Sequence, residues 1–492
     1  MISTPLPRWA FQTPIVALSM AAAVWVGTLF DQVDSPTARF SNSLWLSSTS
    51  DQPCWSDAAI HDGRGEILLP PQDSNGDRVL IVSAFGPPQQ TTAVSVRLTS
   101  DNAGREATRL DWQPRSQPQP FAMPAARAIT AQRVSYTTRP PQLRGGATRN
   151  LFLPRPGRDG RSVSDYEPLD CVAAASGRRC QMWRDLQTPW DARLERWADQ
   201  VVALLEHTVL PAVESSQGTI DDLDGSGGVT VVVTDRVREY SSTTPPLCAF
   251  VRPTDFRSDL DRPWSNTGDI VYLQPGVPVA DLQPVLAHEL THLAQLSWCR
   301  DSFGLAPWPL TDWVAEGVAH AAEVQLTGIW QNVAMRLEAF QRHPERCPLV
   351  VDDAVAAGRW REPGSRGAAC AFGLWCAEQY GPQWWTAWLS ADPDLEDRWQ
   401  AVGGQSLADV YRAWTVSLCV DGLPGPTGSA EARSKPALRS LEVDGRDETV
   451  TIEGTASAYF RLDTADAATV QIAGPRPARL QVTVVHVPRQ PR

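Results

Sequence analysis

The sequence predicts an α+β fold in which a small sheet and several helices are flanked by small β-rich modules. Three observations predict it. Val285 to Leu296 contains no Gly or Pro and sets Leu286, Leu290 and Leu293 on one face, which is helical spacing. Val229 to Thr234 and Asp269 to Leu273 are short runs rich in strand-forming residues. Towards both ends of the chain, alternating runs such as Thr92 to Leu98 and Leu480 to Val487 are punctuated by Pro and Gly, the pattern of half-buried strands.

The chain has 492 residues, enough for about three domains at roughly 150 residues each. With 42% hydrophobic and 20% charged residues it is globular in composition, which excludes wholesale disorder. Its net charge is -12 and Lys435 is its one lysine, so a general nucleic-acid binder is excluded and no nucleic-acid partner is expected.

In chain order, residues 1–30 read as a signal peptide or N-terminal membrane anchor. Trp9 to Phe30 carries no charge over 22 residues, long enough to span a bilayer with some tilt. Cleavage after Ala21-Ala22-Ala23 would leave only a short apolar core, which favours an uncleaved anchor. The protein is therefore expected to be exported, whether periplasmic, cell-surface or secreted, with residues 9–30 as the means of any membrane anchorage. Nine cysteines fit an oxidising compartment, and their odd number leaves at least one unpaired. Cys171 and Cys180 flank the turn signal Ala175-Ser176-Gly177, so a bridge across a hairpin is expected there. Cys370 and Cys376, six apart on a helix, point away from each other, and no C-x-x-C pair suggests a cysteine zinc site.

Residues 31–112 form a β-rich region, with strands at Arg78 to Phe85 and Thr92 to Leu98. Residues 113–149, with Pro140-Pro141 and Gly145-Gly146, read as a Pro/Arg-rich linker. A third region spans 150–420: a hairpin over Cys171 to Trp183, a helix over Asp191 to Glu214, two strands, then helices and a Trp-rich stretch. Trp384 and Trp388 have helical spacing and are expected in the core. Residues 430–492 read as a second, C-terminal β module, with strands at Thr449 to Ile452 and Leu480 to Val487.

The chemistry lies in the third region. Residues 288–292 read His-Glu-Leu-Thr-His, on a helix expected to hold Pro284 in its first turn. Histidines four apart on a helix lie one above the other, so His288 and His292 converge on one point and suit Zn²⁺. Glu289, one step round the helix, can meet a bound water. Thr311 or Asp312 can cap a second helix that carries Glu316, 24 residues after His292, as a third ligand, with Gly317 allowing close approach. Two His and one Glu leave a fourth position open, which is the arrangement of a catalytic site. One Zn²⁺ per chain is expected, lowering the pKa of a water whose proton Glu289 takes as general base. Asp222, Asp224 and Ser226 with Gly227 look like the start of a calcium loop, but the twelfth position is Val233, and a plain Asp-Gly turn is the preferred reading.

His288-Glu289-Leu290-Thr291-His292 with Trp313-Val314-Ala315-Glu316-Gly317 resembles the gluzincin clan of zinc metallopeptidases, and within it the hyicolysin-type family. Supporting stretches are Asp222-Leu223-Asp224-Gly225, Ser265-Asn266 before Asp269 to Leu273, and the helix ending in Tyr380-Gly381. The resemblance covers about Asn150 to Val420 and leaves both β regions outside it. It implies a gluzincin-like metallopeptidase domain, zinc bound by His288, His292 and Glu316, and Glu289 as general base. Relatives often have a Tyr opening the helix that begins here around Gly367, where this sequence has Arg366. The oxyanion donor is thus open among Arg366, Tyr272, Tyr380 and His320. His320, four residues after Glu316, is equally a partner of the ligands or an ordinary polar neighbour. The expected function is an exported zinc-dependent peptidase acting on a protein or peptide substrate, with internal cleavage favoured over attack at chain ends. The alternative is a catalytically inactive cell-surface binding protein on a metallopeptidase scaffold.

Overall fold

In the computed structural model, the residues described are 54–488 apart from 72–75, 88, 101–107, 110–112, 115–145, 157–162, 241–246, 305–307, 360–361, 392–397, 401–403, 424–433 and 477. The expected signal or anchor, residues 1–30, and most of the expected linker lie outside them. No helix among the described residues is long and apolar enough to cross a membrane.

Strands come first along the chain: β1 (Cys54–Ala58), β2 (Arg64–Leu69), β3 (Gly76–Phe85), β4 (Thr91–Ser100), β5 (Thr108–Arg109) and β6 (Gln113–Pro114). β7 (Thr148–Pro156), β8 (Val163–Ser176) and β9 (Cys180–Asp185) form a meander. It leads to α1 (Ala192–Leu204), a π-helical turn over Leu205–Val209, and α2 (Leu210–Gln217). After β10 (Val229–Val233), β11 (Ala249–Val251) and β12 (Ile270–Leu273) come the long helices α3 (Val279–Phe303) and α4 (Asp312–Thr327). Next are α5 (Gln331–Arg342), α6 (Pro363–Tyr380), α7 (Trp384–Ser390) and α8 (Leu407–Val420). Five strands close the chain: β13 (Arg439–Glu442), β14 (Glu448–Glu453), β15 (Ala456–Asp463), β16 (Ala468–Ala473) and β17 (Arg479–Pro488). The architecture is α+β.

Among the described residues, those between 123 and 332 and between 376 and 393 form one compact unit, and those of 21–122, 333–375 and 394–492 another. The region expected as one domain over 150–420 is thus divided, with residues 333–375 grouped with the β strands.

The first unit holds a sheet in the order β11-β12-β10-β9-β8-β7. β10 runs parallel to both neighbours, with Val231 opposite Met182 and Val271. Parallel pairs need a long crossover, and α1 and α2 supply it between β9 and β10. Every residue of β10 is buried, as a strand covered on both faces requires. Asp191 starts α1 by accepting hydrogen bonds from the N–H groups of Arg193 and Leu194 at 3.0 and 2.9 Å. The expected hairpin forms, but the expected bridge does not. Its turn closes between Ser176 and Gln181, which places Cys171 opposite Asp185, well along the ladder from Cys180. All nine cysteines are free thiols.

Helix α3 is longer than its sequence pattern suggests, because Leu282 and Cys299 extend the buried surface beyond Val285 to Leu296. It starts at Val279, so Pro284 lies inside the helix and not in its first turn. The cost is confined to one ladder bond, the one that a residue at 284 would donate to the Ala280 carbonyl. Gly328, at φ +68°, ends α4 and donates its N–H to the Val324 carbonyl at 2.8 Å. The tryptophans Trp384, Trp385 and Trp388 are buried as expected, and Trp385 donates its indole N–H to Gln217 at 3.0 Å.

The second unit corrects the reading of two separate β modules. Its sheets, β13-β15-β3-β17-β1-β6 and β14-β4-β16-β2-β5, draw strands from both ends of the chain. β3 lies between β15 and β17, with Ile81 opposite Tyr459 and Thr483. One face of each sheet feeds a single core that includes Ile67, Val82, Val96, Phe460, Val470 and Val484. On the opposite face of β3, Val79 and Ile81 pack with Val416 and Cys419 of α8.

Candidate metal centre

Helices α3 and α4 belong to one unit and together carry the expected ligands. Nε2 of His288 and Nε2 of His292 lie 3.1 Å apart, with their rings nearly perpendicular at 85°. Oε2 of Glu316 lies 3.5 Å from His288 Nε2. One donor atom from each of the three falls within 4.8 Å of the other two. Around Zn²⁺ with bonds of roughly 2.0–2.1 Å, the edge of a tetrahedron is about 3.3–3.4 Å. The two spacings from His288, 3.1 and 3.5 Å, bracket that edge, and the His292 and Glu316 donors lie within 4.8 Å of each other. Glu289 is buried at 7% exposure and near enough to act electrostatically on His288.

Beneath the expected ligands lies a layer of hydrogen bonds in which Glu323, Asn332 and Gln295, none of them singled out in the sequence, join His320. Oε1 of Glu323 accepts from Nδ1 of His288 at 2.7 Å and from Nδ1 of His320 at 2.6 Å. Its other oxygen accepts from the Asn332 amide at 2.7 Å. On the far side, His292 Nδ1 meets Gln295 Oε1 at 3.1 Å, and the Gln295 amide donates to the Ala315 carbonyl at 3.3 Å. With Nδ1 of each imidazole held in this way, Nε2 is the nitrogen turned towards an ion.

Burial alone would lower the His288 pKa, but the hydrogen bond and charge of Glu323, with the charges of Glu289 and Glu316, leave it raised. Burial would raise the Glu323 carboxyl, yet the charge of His320 and the hydrogen bonds from both imidazoles hold it well below the usual carboxylate range. Glu323 is therefore an anion in a fully buried position, held by its partners. His288, His320 and Glu323 could form a second ligand set, but the 2.6–2.7 Å separations there are those of hydrogen bonds, too short for atoms sharing one ion.

The remaining expected residues fall in different places. His320 belongs with the ligands: its ring lies 4.6 Å from that of His288, and its Nε2 is 3.6 Å from Glu316 Oε2. Tyr272 is fully buried and its hydroxyl is committed to the segment between β11 and β12, donating to Asp255 at 2.7 Å and accepting from Asn266 at 2.8 Å. Tyr380 ends α6 in the same unit as the metal helices, its hydroxyl pKa raised by burial. Arg366 lies in the first turn of α6, in the other unit. The signal for Glu323 was present in the sequence: Glu316, His320 and Glu323 are spaced four and three apart and share one face of α4. No family model matches the chain, and no curated protein does.

Proposed function

We propose that the protein is an exported zinc-dependent peptidase, built on a gluzincin-like unit, that hydrolyses peptide bonds of a protein or peptide substrate. The observation that carries the reading is the convergence of His288, His292 and Glu316 at spacings that match a tetrahedral ion, with Glu289 beside them. Those three side chains would hold one Zn²⁺. When bound, the ion supplies Lewis-acid polarisation of the scissile carbonyl and makes a water more acidic. Glu289 takes the proton of the attacking water as general base and delivers it to the departing amine nitrogen. Glu323 and Gln295 fix the imidazole orientations, so that ligand geometry is set before substrate arrives. His320, packed against His288, is the candidate of the four that lies with the ligands.

The test is Glu289→Gln in the full chain, assayed on a peptide library alongside metal analysis. Loss of cleavage by at least a thousandfold with one zinc retained per chain is the expected result. Undiminished cleavage would overturn the role of Glu289. No zinc-dependent cleavage by the unaltered protein would favour an inactive binding scaffold instead.

A further inference from the structure

We propose that Asp222, Asp224 and Asp269 form a second cation site, separate from the His-Glu centre, that takes a hard divalent ion of the Ca²⁺ type. One oxygen from each carboxylate lies within 4.8 Å of the other two. The loop between α2 and β10 supplies two of them. Gly225 and Gly227 take φ of +66° and +88°, so the chain turns back on itself. Asp224 accepts from the Ser226 N–H and Asp222 from the Gly227 N–H, both at 3.0 Å. The third carboxylate comes from elsewhere in the sequence. Parallel pairing of β10 with β12 puts Thr230 opposite Ile270, and the Thr230 N–H donates to the Asp269 carbonyl at 3.1 Å, which brings Asp269 alongside the loop. The place that a calcium loop gives to a later Glu is taken here by the residue just before the neighbouring strand.

The loop as a plain turn does not account for Asp269. Its side chain is fully buried, one oxygen accepts from the Leu223 N–H at 3.2 Å, and the other has no hydrogen-bond partner among the described residues. Asp222 likewise has a buried oxygen without one. A buried carboxylate oxygen left in this way is costly unless a cation or a proton meets it. Charge balance favours a divalent ion. Arg149 on β7 pairs with Asp224 at 2.7 Å, which leaves the three carboxylates and one guanidinium with a net charge of -2. The donor set is all oxygen, the set that Ca²⁺ takes and Zn²⁺ does not prefer. A cavity of about 590 Å³ opens beside Asp224, lined by it and by Arg149, Trp183 and Leu223 among others; Asp222 and Asp269 lie outside that lining.

The experiment uses the full, zinc-containing chain, with zinc content followed throughout. Tb³⁺ is titrated in while Trp is excited, since Trp183 lines the same cavity as Asp224. Saturable luminescence at one site, displaced by Ca²⁺ more readily than by Mg²⁺, is expected. With Ca²⁺ at a hundredfold excess over Kd the unfolding midpoint should rise by roughly 5–10 °C. Asp269→Asn should weaken Tb³⁺ binding at least tenfold, and Asp222→Asn serves if that variant does not fold. Zinc content should be unchanged in either. Absence of saturable binding, binding undiminished in the folded variants, or displacement by Mg²⁺ in preference to Ca²⁺ would overturn the proposal.

Discussion

At Glu323 two imidazole nitrogens and an amide converge on one buried carboxylate, and one of those imidazoles belongs to His288, a proposed zinc ligand. Glu323→Gln keeps the shape but removes the charge and one acceptor oxygen. Zinc affinity is expected to fall about 10–100-fold, read by competition with a chromogenic chelator. Retention of full affinity would show that His288 orients itself without this partner. Asp221 offers a test by pH. Burial, then the charge of Asp301, raises its carboxyl to about 6 against the relief given by Arg300. A raised folded pKa means that the native state binds the extra proton, so its contribution is lost as pH climbs from about 4 to about 6. Asp221→Asn should stabilise the fold by about 1 kcal/mol above that window and by nothing below it, as denaturant titrations at two pH values would report. The convergence of His288, His292 and Glu316 was legible because the two histidines share one helical period and the carboxylate followed at a plausible distance. Asp269 was not legible as a partner of Asp222, since the pairing of β10 with β12 that joins them leaves no local trace in the sequence.

Among the elements, α3 shows how burial outreaches periodicity. Its apolar face was readable over Val285 to Leu296, but the helix is buried well beyond that stretch, at Leu282 and Cys299, and so extends past the readable repeat. Leu290 sits between the two histidines and is fully buried. Leu290→Ala should cost about 2–5 kcal/mol in thermal or chemical unfolding, through lost contacts and the cavity left behind. Helices α5 and α6 meet at a glycine: a Cβ on Gly367 would lie 2.0 Å from the Arg336 carbonyl oxygen. Gly367→Ala should therefore destabilise the second unit by about 2 kcal/mol or more, because a helix must shift to relieve the clash. The failure of the Cys171–Cys180 bridge is a matter of register. The hairpin turns between Ser176 and Gln181, about three residues later than a Cys171–Cys180 pairing needs, and each residue of error moves every cross-strand partner.

Across the molecule, the strands of both chain ends were individually readable from alternation, but their pairing was not. Nothing local in Arg78 to Phe85 says that its neighbours are β15 and β17. A polypeptide of residues 31–112 alone should lack the dispersed amide spectrum and far-ultraviolet signal of folded β structure. Its β3 and β4 each lose both neighbours, and half the shared core is gone. An independently folded fragment would restore the view of two modules.

That β1 pairs with β17 has a consequence for how the molecule comes into being. A ribosome delivers β1 to β4 long before their partners, so these edges wait unzipped through nearly the whole of translation. The sandwich can close only after the last strand emerges. Until then the bare edges of β3 and β4 are open to pairing with other chains, so late closure carries a hazard of self-association.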